Sequence, residues 1–328
     1  MAAPRPAEYM YVPTADLSTI QFINLFDKEK SELIKIITAC EKDGFFYLDL
    51  QHGGSEKFWT DLYEIDTITK KWFSQPEHVK RKTPTVSLSH RFKAIGNQSG
   101  AVQSLKDGFE ALKIGKFESD GRWALPSVAQ NNLDLFDQFT AACHFFSKLL
   151  LDCISDEMGL KGDARLESHH RDDCRSKSTL CFLHFPPSWG LRVFSPEDAT
   201  LNYVVPRPGH AIVNVGDTLR FLSNKRLRSA LHRVLPQGHV QTEDRYSISY
   251  FLRATDSTEF EDSNGENSSA KQWYMKKYEM YELPHTIQKE HTTLSGGMAQ
   301  ELKLPSKGGV KGLYSLADEP TGDRTPFY

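Results

Sequence analysis

Apolar residues recur at intervals of three and four in three stretches of this chain, which predicts three amphipathic helices. The first begins at Asp27 and stops at Gly44, the second runs from Ser55 to Ser74, and the third and longest covers residues 131–158. Between the first two, the run GFFYLDL predicts a strand. Residues 77–128 mix charges, glycines and short aromatic islands, which predicts loops and turns.

Residues 204–253 follow a different pattern, in which β-branched and aromatic residues lie between Gly, Pro and Asn. It predicts three strands, at His210 to Val215, Ser229 to Leu235 and Arg245 to Leu252. Side chains alternate between the faces of a strand. Two sets therefore share a face within their strands: Ala230, His232 and Val234 in one strand, and Arg245, Ser247, Ser249 and Phe251 in the next.

This alternation lets a histidine, an arginine and a serine point into one barrel. His232 offers an imidazole to a metal ion. Arg245 offers a planar fork, and Ser247 a hydroxyl, to the far carboxylate of a dicarboxylic acid. The plainer alternative is that His232 is a core histidine and Arg245 is half of a structural ion pair.

The charge balance and the cysteines narrow the class of protein. The formal net charge is −3 with acidic and basic residues interspersed, so nucleic acid is not an expected partner. Apolar runs are too short to span a bilayer, and the N-terminus lacks the apolar core of a signal peptide, so no membrane contact is expected. Five cysteines, an odd number without CxxC spacing, indicate reduced thiols and a cytoplasmic protein.

Two segments carry a resemblance to a known family: RPGHAIVNVGDTLRFLSNKRLRSALHRV at 207–234 and RYSISYF at 245–251. They resemble the isopenicillin N synthase-like branch of the iron(II)/2-oxoglutarate-dependent dioxygenases. The resemblance implies an α+β, mainly β fold with a double-stranded β-helix (jelly-roll) core flanked by N-terminal helices. It also implies Fe(II), 2-oxoglutarate as cosubstrate, dioxygen and a small-molecule substrate. The expected function is an oxidoreductase that hydroxylates, desaturates or ring-modifies this molecule in secondary-metabolite biosynthesis.

The resemblance also assigns residues and boundaries. It implies that His232 is the second histidine of the iron triad and that Arg245 and Ser247 bind 2-oxoglutarate. The opening VPTADLS segment at 12–18 is similar to the family's first short strand. We expect an N-terminal region at 10–160, a jelly-roll core at 175–255, a C-terminal extension at 256–304 and a disordered tail at 305–328. Residues 256–269 are expected to be a solvated loop, and 270–281 a short helix.

One departure from the family pattern affects the metal site. The run TLCFLHF at 179–185 resembles the first core strand, with Phe185 where the family has a cosubstrate-binding tyrosine. The next strand should supply an HxD pair, the other two iron ligands. Instead the chain passes to WGLRVFSPED, so a hairpin of roughly 20–30 residues is missing near 187–189. His170 with Asp172, an HxD by spacing, and His184 are the substitute candidates.

Two further hypotheses follow from this departure. The chain could be a catalytically inactive descendant that binds small molecules through Arg245 and Ser247. Alternatively, it comes from an incomplete gene model or splice form whose full version is the enzyme. An exon encoding HxD between Pro187 and Trp189 would distinguish these two hypotheses.

Overall fold

Helices pack around a set of short sheets in the computed structural model, which describes residues 13–99, 106–116, 125–185, 189–197, 200–236, 244–288 and 290–302. The helices are α1 Phe22–Phe26, α2 Lys30–Lys42, α3 Glu56–Phe73, α4 Glu77–Lys80, α5 Ser127–Gln130, α6 Leu133–Glu157, α7 Asp217–Leu222, α8 Ala270–Glu282, α9 His285–Gln288 and α10 Met298–Glu301. The strands are β1 Thr19–Gln21, β2 Phe45–Asp49, β3 Arg91–Lys93, β4 Glu110–Gly115, β5 Thr179–Phe185, β6 Trp189–Ser195, β7 Thr200–Tyr203, β8 His210–Asn214, β9 His232–Pro236, β10 Arg245–Phe251, β11 Glu259–Glu261 and β12 Asn267–Ser269. None of the helices in these ranges is long and apolar enough to cross a bilayer.

The strands form three larger sheets and one hairpin. The orders are β10-β5-β4-β3, β7-β6-β9 and β1-β2-β8, and β11 pairs with β12. All pairs are antiparallel except β1 with β2.

One core cluster lies between α2, α6 and the outer face of β2. Leu33, Ile36 and Ile37 of α2 are buried there together with Phe46 and Leu48 of β2. The spacing of the α2 residues places them on one helix face, so burying that face fixes the helix on the sheet. After α2, Gly44 turns the chain with φ +65°, and a Cβ there would lie 2.1 Å from the Arg228 carbonyl oxygen. This turn therefore excludes any side chain.

A second core cluster lies between α3, α6 and the outer face of the β10-β5-β4-β3 sheet. Leu180 and Phe182 of β5 are buried in it, and Tyr246, Ile248 and Tyr250 of β10 pack against it. Because side chains alternate, the odd-numbered residues of β5 and β10 project from the opposite, inner face.

The inner side of the barrel is lined from the other two sheets. Phe45 and Tyr47 of β2 form a buried cluster with Val193 of β6. They point away from Phe46 and Leu48, which pack toward the helices.

Among the strands that end a sheet within the described residues are β8, β9 and β10. Inward-facing side chains on them are open to solvent. Ile212 and Phe251 are 36% and 39% exposed, and Asn214 and His232 are also exposed. The interior of a closed jelly roll is normally filled by side chains, so this side of the barrel is open as far as the described residues extend.

Most predicted elements are found, with four differences. In the predicted opening segment at 12–18 only Thr14 pairs, through a parallel bridge to Tyr203, and the first strand is β1 at Thr19–Gln21. Residues 77–128 contain β3 and β4 in addition to turns. The strand expected at Ser229 begins at His232. Residues 256–269 form the β11-β12 hairpin instead of a loop without regular structure. The tail at 305–328 lies outside the described residues.

Candidate functional site

The inner face of β10 and β5 carries the residues predicted to bind a carboxylate, Arg245 and Ser247. In the antiparallel register, Arg245 pairs with Phe185 and Ser247 with Leu183, so these side chains project from one face. That face is opposite to Tyr246 and the helices. The structure thus places Arg245 and Ser247 as neighbours toward the barrel interior.

The Arg245 guanidinium lacks an anionic partner in the described part of the chain. Its Nη1 is buried and has no hydrogen-bond acceptor there, while its Cζ lies 5.1 Å from the centroid of the Phe185 ring. Burial lowers the pKa of Arg245, and the nearby Tyr203 of β7 only partly opposes this. A buried cation without a counter-charge is costly, so this geometry favours binding of an anion and not the ion-pair alternative.

His232 opens β9 on the inner side of the barrel. It pairs with Val193, and its ring makes an edge contact with Phe45 at a centroid distance of 5.2 Å. Its Nδ1 lies 3.0 Å from the Ala230 carbonyl oxygen, to which it donates as a neutral ring, leaving the Nε2 lone pair free for a ligand. Desolvation by the surrounding protein lowers the pKa of His232, although its side chain is partly open to solvent.

Asp217 and Lys277 lie on the same side of the barrel as His232. No pattern in the sequence indicated that they would be near the site. They form an ion pair between α7 and α8, and both charges act on His232. Because the carboxylate of Asp217 is paired with an ammonium, it is not placed as a free metal ligand. The two residues are 60 positions apart, so no local spacing links them.

His170 and Asp172 have partners away from His232. The Nδ1 of His170 is 2.8 Å from the Leu166 carbonyl oxygen, and burial lowers the pKa of His170 to about 4. Asp172 accepts from Lys116 and lies 2.6 Å from the Nε2 of His144.

His184 projects from the outer face of β5. It is held between Glu110 and Asp244, at 2.8 and 3.1 Å, and stacks on Tyr246. The structure brings none of His170, Asp172 and His184 together with His232.

The described residues therefore do not form a complete iron site. They include no group of three His, Cys, Asp or Glu side chains suited to a metal ion. An iron site of the non-haem oxygenase type needs two histidines and a carboxylate, and in the described ranges no such set gathers around His232.

A cavity of about 200 Å³ lies elsewhere, on the outer face of β4. Ile114, Leu125, Leu133 and Phe136 line it, among others. Ile114 and Phe136 belong to the packing between the sheet and the helices, so this cavity is separate from Arg245 and His232.

Two family sequence models match the chain. The first, "2OG-Fe(II) oxygenase superfamily", matches residues 156–254. The second, "non-haem dioxygenase in morphine synthesis N-terminal", matches residues 12–133. Together they span the helical N-terminal region and the strands that carry His232, Arg245 and Ser247.

Fungal proteins are among the most similar relatives. The 2-oxoglutarate-dependent dioxygenase FG08081 of Gibberella zeae is 64% identical over 327 residues, covering 92% of this chain and 98% of the relative. Oxidoreductase vrtI of Penicillium aethiopicum is 36% identical, covering 90% and 77%. The first match extends over 327 residues, yet 92% of this 328-residue chain is only about 302 residues. About 25 positions of that match thus have no counterpart here.

Solved structures share the fold. A 2OG-Fe(II) oxygenase family protein from Caulobacter crescentus superposes with a TM-score of 0.65 at 18% identity, covering 81% of this chain and 99% of that one. JOX2 in complex with 2OG, Fe and JA also gives 0.65 at 18% identity, covering 84% and 89%. The prediction of an α+β, mainly β fold with a jelly-roll core is confirmed.

Proposed function

This chain belongs to the 2-oxoglutarate- and iron(II)-dependent dioxygenases, and we propose that Arg245 and Ser247 bind the far carboxylate of 2-oxoglutarate on the inner face of β10. The observation that carries this proposal is the buried Arg245 Nη1 without an acceptor, directly beside the Ser247 face. A guanidinium can donate two parallel hydrogen bonds to a carboxylate, and the serine hydroxyl can add a third.

Family membership confirms several predictions at once. The protein is an oxidoreductase of the dioxygenase class, its cofactor is Fe(II) and its cosubstrate is 2-oxoglutarate. Its reaction uses dioxygen and a small-molecule substrate. When bound, the metal would activate dioxygen, the 2-oxo acid would supply two electrons through its oxidative decarboxylation, and the protein supplies binding and orientation.

The chain's own residues account for the cosubstrate side of the site. Phe185 occupies the position where the family has a cosubstrate-binding tyrosine. Its ring has no hydroxyl to donate a hydrogen bond and packs against the Arg245 guanidinium. This ring contact shields one side of the cation from water and leaves its N–H edge for the ligand. Ser247 lies on the same face, two residues further along β10.

The iron ligands are incomplete in the described residues, and we propose that the missing histidine and carboxylate belong to a hairpin absent from this chain between Pro187 and Trp189. Two observations support this. The edges of β8, β9 and β10 are unpaired in the described structure, and inward-facing side chains on them are exposed. The match to the Gibberella relative also leaves about 25 positions unfilled, enough for two strands of ordinary length with their loop.

An incomplete gene model or splice form is the alternative that this length difference favours. A shortened, non-catalytic binding protein would have to close the open edges in another way, and within the described residues these edges remain open. The flanking genomic sequence distinguishes the two hypotheses, because only the first requires an exon that encodes HxD.

The finer predictions about the substrate and the location belong to this proposal. We infer a small molecule of secondary metabolism, since the similar fungal proteins are dioxygenases and oxidoreductases. Cytoplasmic location is supported by the five cysteines, all of which are free thiols. The interspersed charges give no support to a nucleic-acid partner.

The test measures retained iron and substrate-dependent decarboxylation of 2-oxoglutarate. Disturbing residues around metal ligands typically costs about 10- to 100-fold in affinity or activity, and losing two ligands should cost more. We expect this 328-residue chain to retain far less than one equivalent of iron(II) after desalting and to show no turnover. A version with a family-like HxD hairpin after Pro187 should gain both and lose them on His232→Ala.

Stoichiometric iron with turnover in the unmodified chain would overturn the ligand assignment. The variants His170→Ala, Asp172→Ala and His184→Ala would then identify which residues had completed the site. A hairpin with Ala in place of its His and Asp serves as the matched control, since it restores the strands without the ligands.

A further inference from the structure

Arg91, Lys113 and Arg253 lie on the inner sheet face apart from Arg245, and Lys93 on the same face is already paired with Asp107. Arg91 of β3 pairs with Lys113 of β4, Lys113 pairs with Cys181, and Cys181 pairs with Ser249 of β10, so all four project from one face. Arg253 lies two residues after Phe251, the last residue of β10, and so on the same face as Phe251. Its Cζ is 5.1 Å from the Phe251 ring centroid. We call Arg91, Lys113 and Arg253 the cationic cluster.

Helix α8 covers the cationic cluster with two tyrosines. Lys113 donates to the hydroxyl of Tyr278, and the cations of Lys113 and Arg91 lie 4.5 and 6.0 Å from the Tyr278 ring centroid. Arg253 lies 5.6 Å from the centroid of Tyr274. The three cations therefore converge on the same two aromatic rings.

The cluster lacks carboxylate partners in the described ranges. None of its three cations forms an ion pair there, and the Nε atoms of Arg91 and Arg253 are buried without an acceptor. Burial raises the pKa of Tyr278, but Lys113 and Arg253 outweigh it and hold this pKa below the ordinary value. Even an ionised Tyr278 would offset only one of three positive charges, so the arrangement favours an additional anion.

The cluster is too far from Arg245 for both to bind the same carboxylate. Ser249, which lies in line with Arg91 and Lys113 across the sheet, is four residues along β10 from Arg245, or about 13 Å at the rise of a strand. Arg253 is four residues further still. Helix α8, which carries Tyr274 and Tyr278, also carries Lys277, whose ion pair with Asp217 lies on the His232 side of the barrel, so this helix links the cluster to that side.

We propose that the cationic cluster binds a carboxylate group of the molecule that this dioxygenase oxidises, and so selects an acidic small-molecule substrate. This inference rests on the proposed function, because it names the substrate class for that site. A substrate held by its carboxylate at Arg91 and Arg253 would extend toward His232, while 2-oxoglutarate occupies Arg245. The two acids would then approach the reaction centre from different ends of the sheet face.

The test uses benzoate as a carboxylate probe and benzamide as its uncharged counterpart. Binding of each is measured by calorimetry on the full chain, and again on the hairpin-restored version. We expect benzoate to bind and benzamide not to bind. Arg91→Met and Arg253→Met should each weaken benzoate binding at least tenfold and leave 2-oxoglutarate binding within twofold. Arg171→Met is the control, because Arg171 is exposed and pairs with Asp173.

Chemical footprinting avoids reliance on variants that fail to fold. Phenylglyoxal modification followed by mass spectrometry should show benzoate protecting Arg91 and Arg253, and 2-oxoglutarate protecting Arg245. Equal protection of all three arginines by either acid would mean one shared site and would overturn the proposal. So would benzoate that protects neither Arg91 nor Arg253. Failure of 2-oxoglutarate to protect Arg245 instead contradicts the proposed function, whatever benzoate does.

Discussion

Arg245 is the residue whose surroundings most clearly require a ligand. Arg245→Ala removes the fork that would pair with the cosubstrate carboxylate, and losing one partner of a buried charge pair costs about 2–5 kcal/mol. We expect 2-oxoglutarate to bind roughly 30-fold more weakly or worse, measured by calorimetry with a redox-inert metal present. Arg245→Lys should also bind poorly, since an ammonium lacks the planar fork. Unchanged affinity in Arg245→Ala, with Arg171→Ala as the exposed control, would rule out this assignment.

Side-chain alternation predicted part of the site from the sequence. It correctly placed Arg245 and Ser247 on one face, and the register with β5 agrees. Alternation cannot say which face is inner, and for this reason His184 remained a metal candidate until the structure placed it against Tyr246. Contacts between distant segments, such as Asp217 with Lys277, do not correspond to any periodic pattern in the sequence and could not be predicted from it.

His184 makes the stability of the fold depend on pH. Burial lowers its pKa, but hydrogen bonds to Glu110 and Asp244 outweigh burial and raise it above the ordinary value. A raised folded pKa stabilises the protein below the unfolded pKa of about 6.5, and this contribution is lost as pH rises through the folded value.

His184→Phe keeps a ring against Tyr246 and Phe73 but removes the titrating group. We expect its loss of unfolding free energy relative to the wild type to be larger at pH 5.5 than at pH 8.5. Urea unfolding at both values measures this difference. Because other histidines such as His144 have lowered pKa values and the opposite slope, the wild-type curve alone is not decisive. A pH-independent difference would contradict the role of His184.

At the scale of elements, β3 and β4 show why a region predicted as loops contains strands. Their inner face carries Arg91, Lys93 and Lys113 at positions where a strand usually presents apolar residues. Lys93 is 1% exposed and pairs with the buried Asp107. A sequence pattern treats such lysines as solvated, and only tertiary pairing reveals that they are interior. The helices α3 and α6 were predictable because their apolar faces follow the helical period.

Helix α8 holds the tyrosines over the cationic cluster, and its start depends on a capping box. Ser269 Oγ accepts from the Gln272 backbone N–H, and Gln272 Oε1 accepts from the Ser269 N–H at 2.9 Å. Ser269→Ala should lower the unfolding free energy by about 1 kcal/mol. Ser268→Ala, one residue earlier in β12, is the matched control. Equal stability of both variants in urea titrations would show that the capping box adds nothing measurable.

At the scale of the whole molecule, the open edges connect the missing ligands to the fold. In the described structure β9, which begins with His232, has only β6 beside it, and β10, which begins with Arg245, has only β5. A hairpin that added one strand to β9 and another beside β10 would close the barrel and bring its own residues next to His232. One insertion would thus complete both the sheets and the metal site.

The same edges predict how this chain behaves in solution. Unpaired strand edges and an exposed apolar interior promote association between chains, because each edge offers free N–H and C=O groups to another. We expect the 328-residue chain to aggregate, or to bind a hydrophobic dye, more than a version with a family-like hairpin inserted after Pro187. Size-exclusion chromatography and dye fluorescence compare the two.

A Gly/Ser insert of equal length at the same position is the control for this comparison. It lengthens the connection but cannot fill the interior or pair with β8, β9 and β10, so it should leave dye binding and aggregation as they are in the unmodified chain. A monodisperse, sharply melting protein without any insert would contradict the open-barrel interpretation. It would favour the alternative in which the shortened chain has become a stable binding protein, with Arg245 and Ser247 still able to hold an acid.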